Sequence, residues 1–191
     1  MILKSDVEAD AKEILDSLRK DYEIPSSGKV IYPVIKIMTV VYIMHFLAYL
    51  INDVVYQELG RNIFGEFTCF LISCAVLTIM ALMMTYGSLS IVMCIPKKQR
   101  DESLLLEIIK KRLRAYFLAV VIINTLTAIV MINVGPGFIV CYGFSWFASF
   151  LIGGIVFSMS MSRYMTPAVV AALDKIREVI STEKDHNERT V

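Results

Sequence analysis

The chain has 191 residues, enough for one compact domain or one small membrane bundle. It is 57% apolar and 19% charged, against about 45–50% and about 25% in soluble domains, and its formal net charge of +1 gives no electrostatic case for nucleic acid. Distribution excludes a soluble bundle: residues 67–95 and 115–162 hold no Asp, Glu, Lys or Arg, whereas a water-facing helix carries charges every three or four residues.

Residues 2–22 read as an amphipathic helix. Val7, Ala11, Ile14, Leu18 and Tyr22 recur at spacings of four, three, four and four, with charges between them. Through Lys29 there are seven acids and five bases, unlike the Lys/Arg-rich face of a helix lying on an anionic membrane. A helix that docks a partner or packs under the bundle fits better, and Val7, Ala11, Ile14 and Leu18 form the candidate partner-binding face. The mixed signs of residues 2–23 do not match a cleavable signal peptide. Ile24-Pro25-Ser26-Ser27-Gly28 ends the helix, because the residue before proline avoids the helical region and glycine punctuates.

The first span is expected at about 30–51. Pro33 falls in its first turn, where a missing N–H is harmless, and Lys36 lies close enough to that end to snorkel. His45 is deeper, the kind of residue that marks a proton path or hydrogen-bonds a neighbouring helix. Residues 52–62 form an external loop with one base, Arg61, and Gly60 as a helix breaker. The second span is expected at about 63–95, with Glu66 at its entrance. The uncharged stretch alone is 29 residues, about 44 Å of helix, longer than a hydrocarbon core of roughly 30 Å. Tilt and a projecting end near Gly87, Ser88 and Ser90 take up the excess before Pro96.

Residues 97–114 interrupt the apolar sequence with seven bases: Lys97, Lys98, Arg100, Lys110, Lys111, Arg112 and Arg114. Asp101 or Ser103 can cap a helix here whose apolar face is Leu104, Leu105, Ile108 and Ile109. The third span is expected at 115–134, Gly135-Pro136-Gly137 is a tight turn, and the fourth span runs over about 138–161. In it Cys141, Ser145, Ser149 and Gly153 lie four apart, a small-residue stripe for close helix packing or self-association. Thr166 caps a final helix with Pro167 at its first position and Val169, Leu173, Ile176 and Ile180 as its apolar stripe. The polar end after Ser181 lacks apolar periodicity and is expected to be disordered.

Lys and Arg concentrate on cytoplasmic flanks. The segments before span one, between spans two and three, and after span four carry seventeen bases against one in the two opposite loops. The fold expected is therefore all-α and multi-pass: four transmembrane helices as two antiparallel hairpins, both termini cytoplasmic, with amphipathic cytoplasmic helices. Residues 1–29, 96–114 and 164–191 are the cytoplasmic parts, and 30–163 is the membrane domain.

No phosphate loop, HExxH, GxSxG or dinucleotide fingerprint occurs. Cys69, Cys74, Cys94 and Cys141 lie in apolar runs without ligand spacing, so packing is their expected role. Thr78, Thr85, Asn124 and Thr127 likewise have ordinary packing roles. No catalysis, cofactor or metal is expected, and the lipid bilayer is the first partner.

The charged N-terminal helix leading through Ile24-Pro25 and Lys29 to Pro33, and the tail Ser162-Arg163-Tyr164-Met165-Thr166-Pro167, resemble the TraS entry-exclusion proteins of F-type conjugative plasmids. The resemblance implies residence in a bacterial inner membrane and a block on redundant DNA transfer from a donor carrying the same plasmid. It implies the TraG mating-pair protein of the donor as partner, and assigns no functional residue. An immunity protein against a pore-forming bacteriocin, or a small membrane assembly factor of a secretion system, would share the same layout.

Overall fold

A computed structural model describes residues 4–18, 25–56, 63–175 and 178. Every described element is helical: α1 Lys4–Leu18, α2 Ser27–Tyr56, α3 Ile63–Cys94, the short α4 Lys97–Glu102, α5 Leu104–Val134, a 3₁₀ turn Pro136–Cys141 and α6 Tyr142–Ser162. A last helix, α7, covers 167–175. Four helical segments are long and apolar enough to cross a membrane: Ser27–Tyr56, Phe64–Cys94, Leu104–Val134 and Pro136–Ser162. At about 1.5 Å per residue, α2, α3 and α5 each exceed 40 Å.

The apolar runs are all recovered, and the boundaries move for local reasons. α2 starts before the expected span because the Ser26 carbonyl accepts the Lys29 and Val30 N–H groups at 2.9 and 3.3 Å. Pro33 is therefore inside the helix rather than in its first turn. The N–H it lacks would have bonded to the Lys29 carbonyl. Asn52 to Tyr56 continue α2 instead of opening the loop; residues 57–62, with Gly60 and Arg61, lie outside the described residues.

The central segment differs most from expectation. Rather than a helix within 97–114 followed by a span from 115, α5 is one helix from Leu104 to Val134. Between Arg112 and Ala119 there is no Gly, Pro or Asn to stop it, so helical propensity carries the basic turn straight into the apolar run. Ser103 is the cap: its Oγ accepts the Leu106 N–H at 3.2 Å. At the far end the Gly135 N–H still donates to the Met131 carbonyl at 3.3 Å, and residues 136–141 wind as 3₁₀. α6 accordingly starts at Tyr142, later than the expected 138.

The chain divides into two compact units. The first comprises 1–30, 86–114 and 157–191, so the three segments read as lying outside the membrane fall in one unit. Its apolar core joins Val7, Ala11, Ile14, Leu15 and Leu18 of α1 to Leu105, Leu106 and Ile108 of α5, with Cys94, Ile95, Met161, Val169 and Ala172. The second unit comprises 31–85 and 115–156, and its described residues belong to α2, α3, α5, the 3₁₀ turn and α6.

Within that second unit, glycines set the closest approach. A Cβ on Gly143 would stand 2.2 Å from Ser73 Oγ, and one on Gly154 would stand 3.1 Å from Met84 Cε. The second contact lies eleven residues beyond the first in both helices, so α3 and α6 pass each other in the same direction. Contacts between α2 and α3 run in opposite order: Tyr49 meets Glu66 and Tyr42 meets Thr78.

Candidate functional site

Two places concentrate polar groups. The first is where α1 meets the start of α5. Asp10 projects a carboxylate that accepts three bonds: from Ser103 Oγ at 2.8 Å, Leu104 N–H at 3.2 Å and Leu105 N–H at 2.9 Å. The first N–H groups of any helix lack intrahelical acceptors and favour negative charge. Here the anion comes from another helix more than ninety residues earlier in the chain. Ser17 Oγ donates to Gln99 Oε1 on α4, a second tie between the same segments.

The same core takes up the apolar face of α1. Val7, Ala11, Ile14 and Leu18 are all buried in the chain's own core. The face is covered, and a partner of α1 would meet its exposed side, Ser5, Ala9, Lys12, Glu13 and Asp16. α7 joins the same core through Val169, and its start is as expected: Thr166 Oγ1 accepts the Val169 N–H at 3.4 Å and the Thr166 carbonyl accepts Val170 at 2.9 Å. The side chains of Ile176 and Ile180 and the polar end lie outside the described residues.

The second place is the interior of the membrane-length helices. His45 is buried with its ring edge-on between Phe70 and Tyr142, centroids 5.1 and 5.0 Å away. Its Nδ1 meets no hydrogen-bond partner among the described residues, and neither does the buried Trp146 Nε1. Tyr142 and Trp146 are fully buried on one face of α6. Asn124, also fully buried, links α5 to α6: its Oδ1 accepts Ser145 Oγ–H at 2.8 Å, and its carbonyl accepts Tyr142 O–H at 3.1 Å. Nearer the other end, Asn52 Nδ2 donates to the Pro136 carbonyl at 3.3 Å and Tyr56 O–H to the Ile132 carbonyl at 2.5 Å. These bonds satisfy polar groups that are buried or half-buried between the helices.

The small-residue stripe is split in its use. Ser145 bonds Asn124, and Gly153 faces Val120 of α5 closely enough that a Cβ would stand 3.3 Å from its Cγ2. Ser149 is half-buried and Cys141 exposed. Thr78, Thr85 and Thr127 return their hydroxyls to carbonyls four residues back, a packing role. Of the seven central bases, Lys97, Lys98, Lys110, Lys111 and Arg114 are exposed, and Arg100 and Arg112 half-buried.

Asp10 and Gly143 were not singled out from the sequence. Asp10 is one of seven acids in its segment, and only the fold shows it facing a helix start. Gly143 lies beside the fourfold stripe, not on it. Among the described residues no three His, Cys, Asp or Glu side chains gather as metal ligands. No family model, no curated protein and no solved structure matches this chain.

Proposed function

We propose that the protein is a non-catalytic, four-span protein of a bacterial inner membrane that acts as an entry-exclusion factor. In this reading it blocks redundant conjugative DNA transfer by recognising a mating-pair protein of the donor, TraG-like in type. The spans form two antiparallel hairpins with both termini and the basic segment in the cytoplasm. The charge asymmetry supports that orientation. The resemblance in layout supports the function.

The observation that carries the recognition part is the joint core of α1, the start of α5 and α7. It makes one body of the three segments outside the spans and leaves the mixed-charge side of α1 outward. Four short-looped spans offer little surface, whereas a standard interface needs roughly 800 Å² per partner. Recognition is therefore assigned to Ala9, Lys12, Glu13 and Asp16 with the adjoining central segment.

A mating assay tests the reading. Recipients expressing the protein should take up less DNA from a matching donor and normal amounts from a non-matching one. Exchanging residues 1–29 with those of an exclusion protein of different specificity should transfer that specificity. Undiminished uptake from every donor tested would sink the exclusion reading, and specificity that stays with the spans would sink its assignment to α1. Protection against a pore-forming bacteriocin, without any effect on mating, would favour an immunity role.

A further inference from the structure

The basic turn of α5 does more than lie beside an apolar run. α5 is uninterrupted from Leu104 to Val134, so a residue's place on its circumference can be followed across the change from charged to apolar sequence. Lys111, Arg114, Leu118, Ile122 and Ile129 share one side of a 3.6-residue helix, and all are exposed. Lys110 is exposed at the edge of the same side. The side of α5 that presents cations is thus the side that presents leucine and isoleucine to lipid. Arg114 is four residues, about 6 Å, from Leu118, and Lys111 about 10 Å. Glu107 is the lone carboxylate on this side, one turn farther from the apolar run.

The pattern recurs independently on α2. Lys29 and Lys36 lie on the side that continues as Val40, Ile43 and Leu47, again all exposed. A long basic side chain at such a place lays its stem along apolar surface and lifts its charge to the level of lipid phosphates. Basic clusters directly beside a span attract anionic lipids.

We propose that Lys110, Lys111 and Arg114 form a binding site for the phosphate headgroup of an anionic phospholipid. The site depends on the membrane residence of α5 and not on the exclusion reading. Its failure would leave that reading standing.

The test uses the full-length protein purified from membranes and placed in nanodiscs of equal phosphatidylglycerol and phosphatidylcholine. Lipids retained on release into the gas phase are counted by native mass spectrometry. Wild-type protein should retain phosphatidylglycerol in preference to phosphatidylcholine. K110Q/K111Q/R114Q should lower that preference by at least tenfold, given about fivefold per cation. The charge-matched triple variant K97Q/K98Q/R100Q on α4 should change it less than twofold. No preference in the wild type, or an equal fall in both variants, overturns the site. Displacement of the lipid by excess inorganic phosphate would also overturn it, since the pocket would then serve free phosphate. If the α5 variant does not fold, a photoactivatable phosphatidylglycerol on the wild-type protein decides: crosslinks should fall within 107–122, and crosslinks confined elsewhere reject the site.

Discussion

Asp10 shows how one carboxylate can hold an otherwise ordinary helix in place. Its three donors include two of the backbone N–H groups that α5 cannot satisfy itself. Asp10→Ala should weaken the docking of α1 by about 1–2 kcal/mol, read as faster amide exchange over 4–18 in the purified protein, while Asp10→Asn keeps much of the bond set. Wild-type exchange in Asp10→Ala would mean that the apolar face alone holds α1. Asn124 and His45 are the contrasting buried polar residues. Asn124→Leu removes a link between α5 and α6, with an expected cost of about 1 kcal/mol in lipid, measurable as lower resistance to denaturation in mixed micelles. His45→Phe keeps the edge-on ring contacts with Phe70 and Tyr142 and removes Nδ1, which has no partner among the described residues, together with Nε2. It should leave stability unchanged or raised; a marked loss would show that the imidazole nitrogens matter. His45 and Asn124 stood out in the sequence as polar residues in apolar runs. Their partners did not, because Tyr142, Ser145 and Phe70 are unremarkable until the helices are side by side.

Among the elements, the passage of α3 along α6 rests on glycines of unequal tolerance. At Gly143 an added Cβ meets both Ser73 Oγ and Ser73 Cβ, at 2.2 and 2.6 Å, atoms fixed close to the α3 backbone. At Gly154 it meets only the far end of a methionine, which can swing aside. Gly143→Ala should therefore destabilise the protein by roughly 1–3 kcal/mol, an overpacking cost, and Gly154→Ala by much less. Adding Ser73→Gly to Gly143→Ala should restore much of the loss. Thermal unfolding in detergent compares the three, and equal effects of the two glycine changes would disprove this account of the contact. The helices themselves were readable from charge-free length and from Pro96, Pro136 and Thr166. What could not be read was continuity: the basic segment looked like a separate helix because its composition changes at Arg114, yet composition does not end a helix when no Gly or Pro interrupts it. The fourfold stripe of α6 was visible as small residues, but which helix each would meet depends on pairwise geometry that spacing alone leaves open.

For the whole molecule, the sequence made four membrane-length helices legible because burial in lipid demands long uncharged runs. The orientation proposed from charge predicts that a reporter fused at Gly135–Gly137 behaves as extracytoplasmic and one at the C-terminus as cytoplasmic. The reverse pair of signals would invert the protein. The gathering of three distant segments into one core was less legible. Amphipathic periodicity revealed that α1 had an apolar face but could not say whether another protein or the chain itself would cover it. Its cover is the chain itself, which has a consequence in time. A ribosome makes α1 before its cover: Leu105, Leu106 and Ile108 emerge some ninety residues later and Val169 later still. During that interval the face of Val7, Ala11, Ile14 and Leu18 lacks the α5 and α7 part of its cover. A product cut short before Leu104 would leave that face covered at most by the stretch around Cys94 and Ile95, a greasy helix open to chaperones and proteases.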